Sequence, residues 1–191
     1  FTFVSCSNDD ETTVNELDGI TKFKEITNDT HTIELYSQMG SLEQGYNAIS
    51  LRIKENGTNN YIKNAEVSWA PLMHMTSMTH ACPYSTVEKV TENGTLYKGY
   101  IMFQMAQNET EYWDLKIDYT INGVDYTATD VIDVPASAKR KVNTFTGSDG
   151  VKYLVAYIEP HHPKVAVNDM KVGVWKMQSM MNFPVVDGYT V

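Results

Sequence analysis

Trp113, Leu115, Ile117 and Tyr119 alternate with polar residues, and Asn122-Gly123 follows closely behind them. Alternation of period two puts all four apolar side chains on one face of an extended strand. Asn-Gly supplies the left-handed positions of a type I′ turn, so the chain reverses into a second strand over residues 124–134. The run therefore predicts an antiparallel hairpin with one buried face, and the fold has to be built around it. The same alternation recurs upstream. His31–Ser37 carries Ile33 and Leu35 on one parity, residues 48–54 carry Ile49, Leu51 and Ile53, and Ala65, Val67 and Trp69 share a face. Residues 97–105 place Ile101, Phe103 and Met105 in step. Asn56-Gly57 and Asn93-Gly94 mark further turns. No segment sustains a helical period. Six or seven short strands over residues 31–135 predict an all-β fold, an immunoglobulin-like antiparallel β-sandwich.

Residues 136–140 read as a linker, and the pattern restarts beyond it. Residues 151–158 and 167–175 are expected strands, separated by Glu159-Pro160-His161-His162-Pro163-Lys164. A faint internal repeat links the two regions. Asn47-Ala48-Ile49-Ser50-Leu51-Arg52-Ile53 lines up with Asn168-Asp169-Met170-Lys171-Val172-Gly173-Val174. With a small shift, Ala65-Glu66-Val67 lines up with Tyr189-Thr190-Val191. Residues 141–191 are therefore expected to be a partial second sandwich, truncated after three strands. About 50 residues cannot complete such a core. Either the chain is a fragment or these strands pack on the first domain.

The composition excludes some functions. Of 191 residues, 42% are apolar, enough to bury a core. A formal charge of −9 repels phosphate, which argues against nucleic acid as a partner. No run of about 18 apolar residues exists to span a membrane as a helix.

Residues 1–30 read as targeting material, a lipidation site and a tether. Phe1-Thr2-Phe3-Val4-Ser5-Cys6 is an apolar run ending in a small residue and a cysteine, and Ser7-Asn8-Asp9-Asp10-Glu11 is polar and acidic. The run resembles the tail of a bacterial lipoprotein signal peptide, with Cys6 as the acylated residue and further sequence upstream. The acidic stretch resembles the surface-export signal of Bacteroidetes lipoproteins. Together they imply a bacterial cell-envelope protein that meets the outer membrane only through its lipid. Residues 7–30 carry no periodic apolar pattern and read as tether.

The candidate chemistry lies in Met73-His74-Met75-Thr76-Ser77-Met78-Thr79-His80-Ala81-Cys82. Thioether, imidazole and thiol are the soft and borderline donors that suit copper, above all Cu(I). Thioethers need no deprotonation, so such a site works in an oxidising envelope. If residues 67–75 are one strand, Met73 and Met75 share a face and His74 points the other way. Met78, His80 and Cys82 follow in a loop that Pro71 and Pro83 bracket and keep out of a central ladder. Met73 and Met75 also continue the core parity of Ala65, Val67 and Trp69, and two Met on one strand are more often packing than ligation. Cys82, once Cys6 is lipidated, is a ligand, an intermolecular disulfide donor or a small buried side chain. Met177-Gln178-Ser179-Met180-Met181 reads as a packing or contact loop, and His161-His162 as solvated. The sequons at Asn28, Asn56, Asn93 and Asn108 are incidental in a bacterial lipoprotein.

Catalytic motifs are absent. There is no Gly-x-Ser-x-Gly, no Gly-rich phosphate loop and no His-Glu-x-x-His. A Cys82–His80 or Cys82–His74 pair acquires meaning only in three dimensions. The expectation is a binding protein rather than an enzyme.

Leu96-Tyr97-Lys98-Gly99-Tyr100-Ile101-Met102-Phe103-Gln104-Met105, followed by Tyr112-Trp113-Asp114-Leu115-Lys116-Ile117, resembles the strand pattern of YtkA-like domains. These are related to FixH-like proteins, envelope β-sandwiches associated with copper handling. The resemblance covers residues 30–135 and extends to two-domain lipoproteins of Bacteroidetes. It implies that Met73, His74, Met75, Met78 and His80 form a copper-binding segment, with Met105 and Trp113 as strand markers. A carrier, sensor or sequestering module is one expectation. A metal-free module whose Met-rich loop contacts another envelope protein is the other.

Overall fold

The computed structural model describes residues 15–187. It is all-β, with twelve strands and no helix among those residues: β1 (Thr21–Thr27), β2 (His31–Ser37), β3 (Gly45–Glu55), β4 (Glu66–His74), β5 (Thr79–His80), β6 (Glu88–Lys89), β7 (Tyr97–Phe103), β8 (Tyr112–Ile121), β9 (Val124–Ile132), β10 (Val142–Thr146), β11 (Lys152–Glu159) and β12 (Lys171–Lys176). All pairings are antiparallel. One sheet runs β1-β2-β3-β7-β6 and a second runs β5-β4-β8-β9. Their inner faces close a sandwich core containing Ile33, Leu35, Ile49, Leu51 and Ile53 from the first sheet. Trp69, Met73, Trp113, Leu115 and Ile117 come from the second. These are the parities that alternation assigns to the core. The hairpin between β8 and β9 turns at Asn122 and Gly123, whose φ values are 50° and 80°, so the left-handed turn residues sit where the sequence requires them.

Five expected boundaries differ. The tether stops before residue 21, because β1 pairs along β2 and buries Ile26 completely. A bulge between Lys22 and Lys24 breaks its alternation, and as an edge strand it exposes Lys22 and Glu25; both effects hide it from a periodicity search. Lys24 also reaches Asp130 at 2.5 Å and ties β1 to β9 across the open side of the sandwich. Pro71 lies inside β4 rather than ending it. It pairs with Leu115 of β8, while β5 reaches only Met73 and His74, so no second neighbour needs an N–H at that position. The strand expected over residues 167–175 begins at Lys171, because Asn168 holds the preceding segment in a turn. The strands expected over 97–105 and 124–134 end at Phe103 and Ile132.

The third sheet, β10-β11-β12, packs on the outside of the first. Leu154, Ala156, Ile158, Trp175 and Phe183 form a second buried cluster with Ala81 and Met102, backed by Tyr46 and Tyr100. The Trp175 indole N–H donates to the Tyr100 hydroxyl at 3.2 Å. So these strands do pack on the first domain. They also copy its opening. The meander β10-β11-β12 has the strand order of β1-β2-β3. Asn47 Nδ2 donates to the carbonyls of Glu43 and Gly45, and its Oδ1 accepts from the Glu43 N–H. Asn168 makes the same three bonds with Lys164 and Ala166. Downstream, Lys54 bridges to Tyr61, and its counterpart Trp175 bridges to Val185.

Candidate metal centre

The Met/His segment is a tight hairpin at one end of the sandwich. Met73 pairs with His80 and His74 with Thr79 across β4 and β5. The Met75 N–H donates to the Met78 carbonyl at 2.9 Å, which leaves Thr76-Ser77 as a two-residue loop. Side chains alternate across strands, so Met73, Met75, Met78 and His80 share one face and His74 and Thr79 the other. Directly opposed residues hold their Cβ atoms about 4.5–5.5 Å apart. Three thioethers and one imidazole are thus gathered as two cross-strand pairs.

That face runs from solvent into the core. Met78, at the tip, is 48% exposed. Met75 is half-buried against the core, and Met73 and His80 are buried. The His80 ring meets the edge of Trp113, with centroids 5.6 Å apart. Its Nδ1 lies 2.8 Å from the Ala81 carbonyl, which only accepts, and 3.1 Å from the Gln104 amide nitrogen, which only donates; the shorter contact puts the proton on Nδ1. The lone pair of the neutral ring then belongs to Nε2, which makes no hydrogen bond among the described residues. A backbone carbonyl that fixes one ring nitrogen and frees the other is the arrangement found behind metal-ligating histidines. The Gln104 amide N–H donates to the same Ala81 carbonyl at 3.0 Å. Its Oε1 is buried with no hydrogen-bond partner among the described residues.

The remaining candidates lie elsewhere. His74 sits on the opposite face, where Nε2 donates to Asp114 Oδ2 at 2.6 Å and the ring stacks on Tyr112. Cys82 continues the parity of His80 into the core and is a free, fully buried thiol. Burial pushes its pKa well above the usual thiol value, so it stays protonated. Its placement is that of a small apolar side chain. Met105 contributes its carbonyl, which accepts from the Trp113 indole N–H at 3.1 Å. His161 and His162 are exposed. Cys6 lies outside the described residues.

Sequence reasoning missed three neighbours of this site. Asp114 follows from the β4–β8 register, which sets Leu72 against Asp114 and His74 against Tyr112. Gln104 and the second Met segment come from long-range packing and leave no local signal. The Ala81 N–H donates to the Met180 carbonyl at 2.9 Å, so Met177–Met181 abuts the chain leaving the hairpin.

Among the described residues, no three of His, Cys, Asp and Glu gather into a group able to hold a metal ion. A metal at this hairpin therefore has to be held mainly by thioethers, which selects a soft ion. No family model, curated protein or solved structure matches this chain.

Proposed function

We propose that this chain is a non-catalytic envelope lipoprotein that binds copper as Cu(I) through the face shared by Met73, Met75, Met78 and His80. The observation that carries the reading is the pairing of Met73 with His80 and Met75 with Met78 on one side of a single hairpin. A random scatter of methionines does not place three thioethers and a free imidazole nitrogen on one face. The gradient of burial suits capture and release of cargo. Met78 and Met75 meet the ion at the surface, and Met73 and His80 hold it beside the aromatic wall of Trp113, away from water and oxidant. His74 and Cys82 are outside this set, one by facing away and one as a protonated core thiol. The resemblance of residues 30–135 to YtkA-like and FixH-like domains, with their immunoglobulin-like sandwich, points the same way. So does the lipoprotein-like start of the chain, which fits an outer-membrane anchor at Cys6. The role is that of a carrier, sensor or sequestering module.

The test is a competition titration with a chromophoric Cu(I) chelator. Wild type should bind one Cu(I) with micromolar or tighter affinity, and a Met73→Leu/Met75→Ala/Met78→Ala variant should not. A wild-type protein that fails to compete for Cu(I) would sink the proposal.

One observation favours a second reading. Met78, Met180 and Met181 are 48%, 40% and 55% exposed, and the Met180 backbone is bonded to the residue that follows His80. Flexible thioethers at one end of the molecule suit an adaptable contact with another envelope protein. Under that reading, partner binding persists when copper is fully chelated.

A further inference from the structure

The loop between β11 and β12 carries an apolar point. Val165 and Val167 are 111% and 98% exposed, so the fold leaves both side chains bare, and Met170 close behind them is 72% exposed. The loop is nonetheless held in shape. Asn168 accepts from the Lys164 N–H at 2.8 Å and donates to the Lys164 and Ala166 carbonyls at 2.9 and 2.7 Å. The first copy shows the same bracket in use inside the molecule. Its counterparts of Val165 and Val167 are Gln44 and Tyr46, and both are engaged. Gln44 Nε2 donates to the Gln104 carbonyl at 3.0 Å, and Tyr46 stacks on Tyr100 against the third sheet. In the second copy the two positions are aliphatic and face solvent.

The charge of the loop also departs from that of the chain. The protein carries −9, yet between Glu159 and Asp169 there is no carboxylate, and His161, His162 and Lys164 precede the point. Lys164, and Lys171 at the foot of the loop, make no ion pair among the described residues. Neither do Lys139 and Arg140, in a segment that runs beside the loop; Ala136, Lys141, His161 and His162 line one cleft between them.

We propose that this loop is a membrane contact, in which Val165 and Val167 enter the boundary between headgroups and acyl chains while Lys164 and Lys171 meet lipid phosphate. Shape and charge select a bilayer over a protein partner. A stable protein interface takes about 800 Å² from each side. A turn with two projecting valines offers no such surface. A bilayer needs no shaped counterpart: it accepts isolated aliphatic groups at its boundary and attracts cations to its phosphates. The turn is already formed, so little ordering opposes entry. One such contact binds weakly and reversibly, and lasting attachment takes two signals. The loop supplies a second signal beside the lipid at Cys6. That pairing rests on the lipoprotein reading, whereas the partition of the loop itself does not.

Flotation of the 191-residue chain carrying Cys6→Ser, and so without lipid, tests the loop alone on vesicles of phosphatidylethanolamine and phosphatidylglycerol. About half of the protein should float at about millimolar lipid. A Val165→Asp/Val167→Asp variant should bind at least about tenfold more weakly, since each valine taken out of water contributes roughly that factor. Both positions are bare, so the thermal melts of variant and wild type should coincide. An environment-sensitive dye on Val165→Cys should shift to the blue on vesicles. The same dye on Thr58→Cys, in an exposed turn beyond the end of β3, should not. A chain that does not float, or a double variant that floats as well as wild type, overturns the proposal. So does a blue shift without vesicles that grows with protein concentration, because the loop then meets a second copy of the chain.

Discussion

Met73 and His80 stand opposite each other on the inner face of the β4–β5 hairpin, both buried, the imidazole held against Trp113. The thioether at position 73 is therefore a core side chain and a candidate donor at once. The two roles separate by substitution.

Replacing Met73 by Leu conserves volume, and its cost to stability is below about 1.5 kcal/mol. The sulfur is lost, so Cu(I) affinity falls at least about tenfold, which is about 1.4 kcal/mol of binding. Met73→Ala removes both and destabilises by about 2–5 kcal/mol. Urea unfolding alongside the chelator competition distinguishes the variants. Unchanged Cu(I) affinity in Met73→Leu would show that Met73 only packs.

His31 is buried at the far end of the sandwich, where its Nδ1 lies 3.1 Å from the Tyr119 hydroxyl, which also accepts from Asn28. Burial lowers its pKa below the ordinary 6.5, because the charged ring is cut off from water; Glu55 opposes this only partly. The unfolded chain then binds more protons than the native one as the pH drops through 6.5. Stability is thus unaffected above that value and declines below it. Urea midpoints measured between about pH 7 and pH 5 should fall in wild type and flatten in His31→Gln, after allowance for carboxylates.

Cys82 is sealed in the core with its thiol protonated. In a Cys6→Ser protein, a thiol reagent should leave it unmodified in native buffer and react fully in denaturant. Rapid native labelling would instead mean that the segment after His80 opens, and would return Cys82 to the candidate ligands.

Asn47 is buried and makes three hydrogen bonds to its own loop, whereas Asn168 makes the same bonds in the open. Asn47→Ala strands buried backbone groups and should cost roughly 2 kcal/mol. Asn168→Ala lets water replace the amide and should cost less than about 1 kcal/mol. Thermal melts of the two variants check the difference.

Much of this molecule was legible in the chain itself. Alternation in β2, β3, β4, β7 and β8 fixes which residues face inward, because a strand has only two faces. Asn122-Gly123 fixes one turn, because few other residues accept its backbone angles. The repeat at Asn47 and Asn168 was visible as letters and proved to be a repeated bracket of hydrogen bonds. The same reasoning overlooked β1, whose bulge and exposed edge remove the period. It also placed Pro71 at a boundary, because a proline's effect depends on whether a neighbouring strand needs its N–H.

At the hairpin the division is sharper. The sequence by itself determined that Met73 and Met75 share a face and that His74 does not, since that follows from geometry within one strand. Only the tertiary structure decided that Met78 and His80 join that face, because a two-residue loop sets the register. It alone placed Cys82 deep in the core, the Ala81 carbonyl on His80 Nδ1, and the Met180 backbone against the same turn. The Cys82 and Met180 contacts join segments far apart along the chain, chosen by how the sheets close on a shared interior, and no local pattern of residues encodes them.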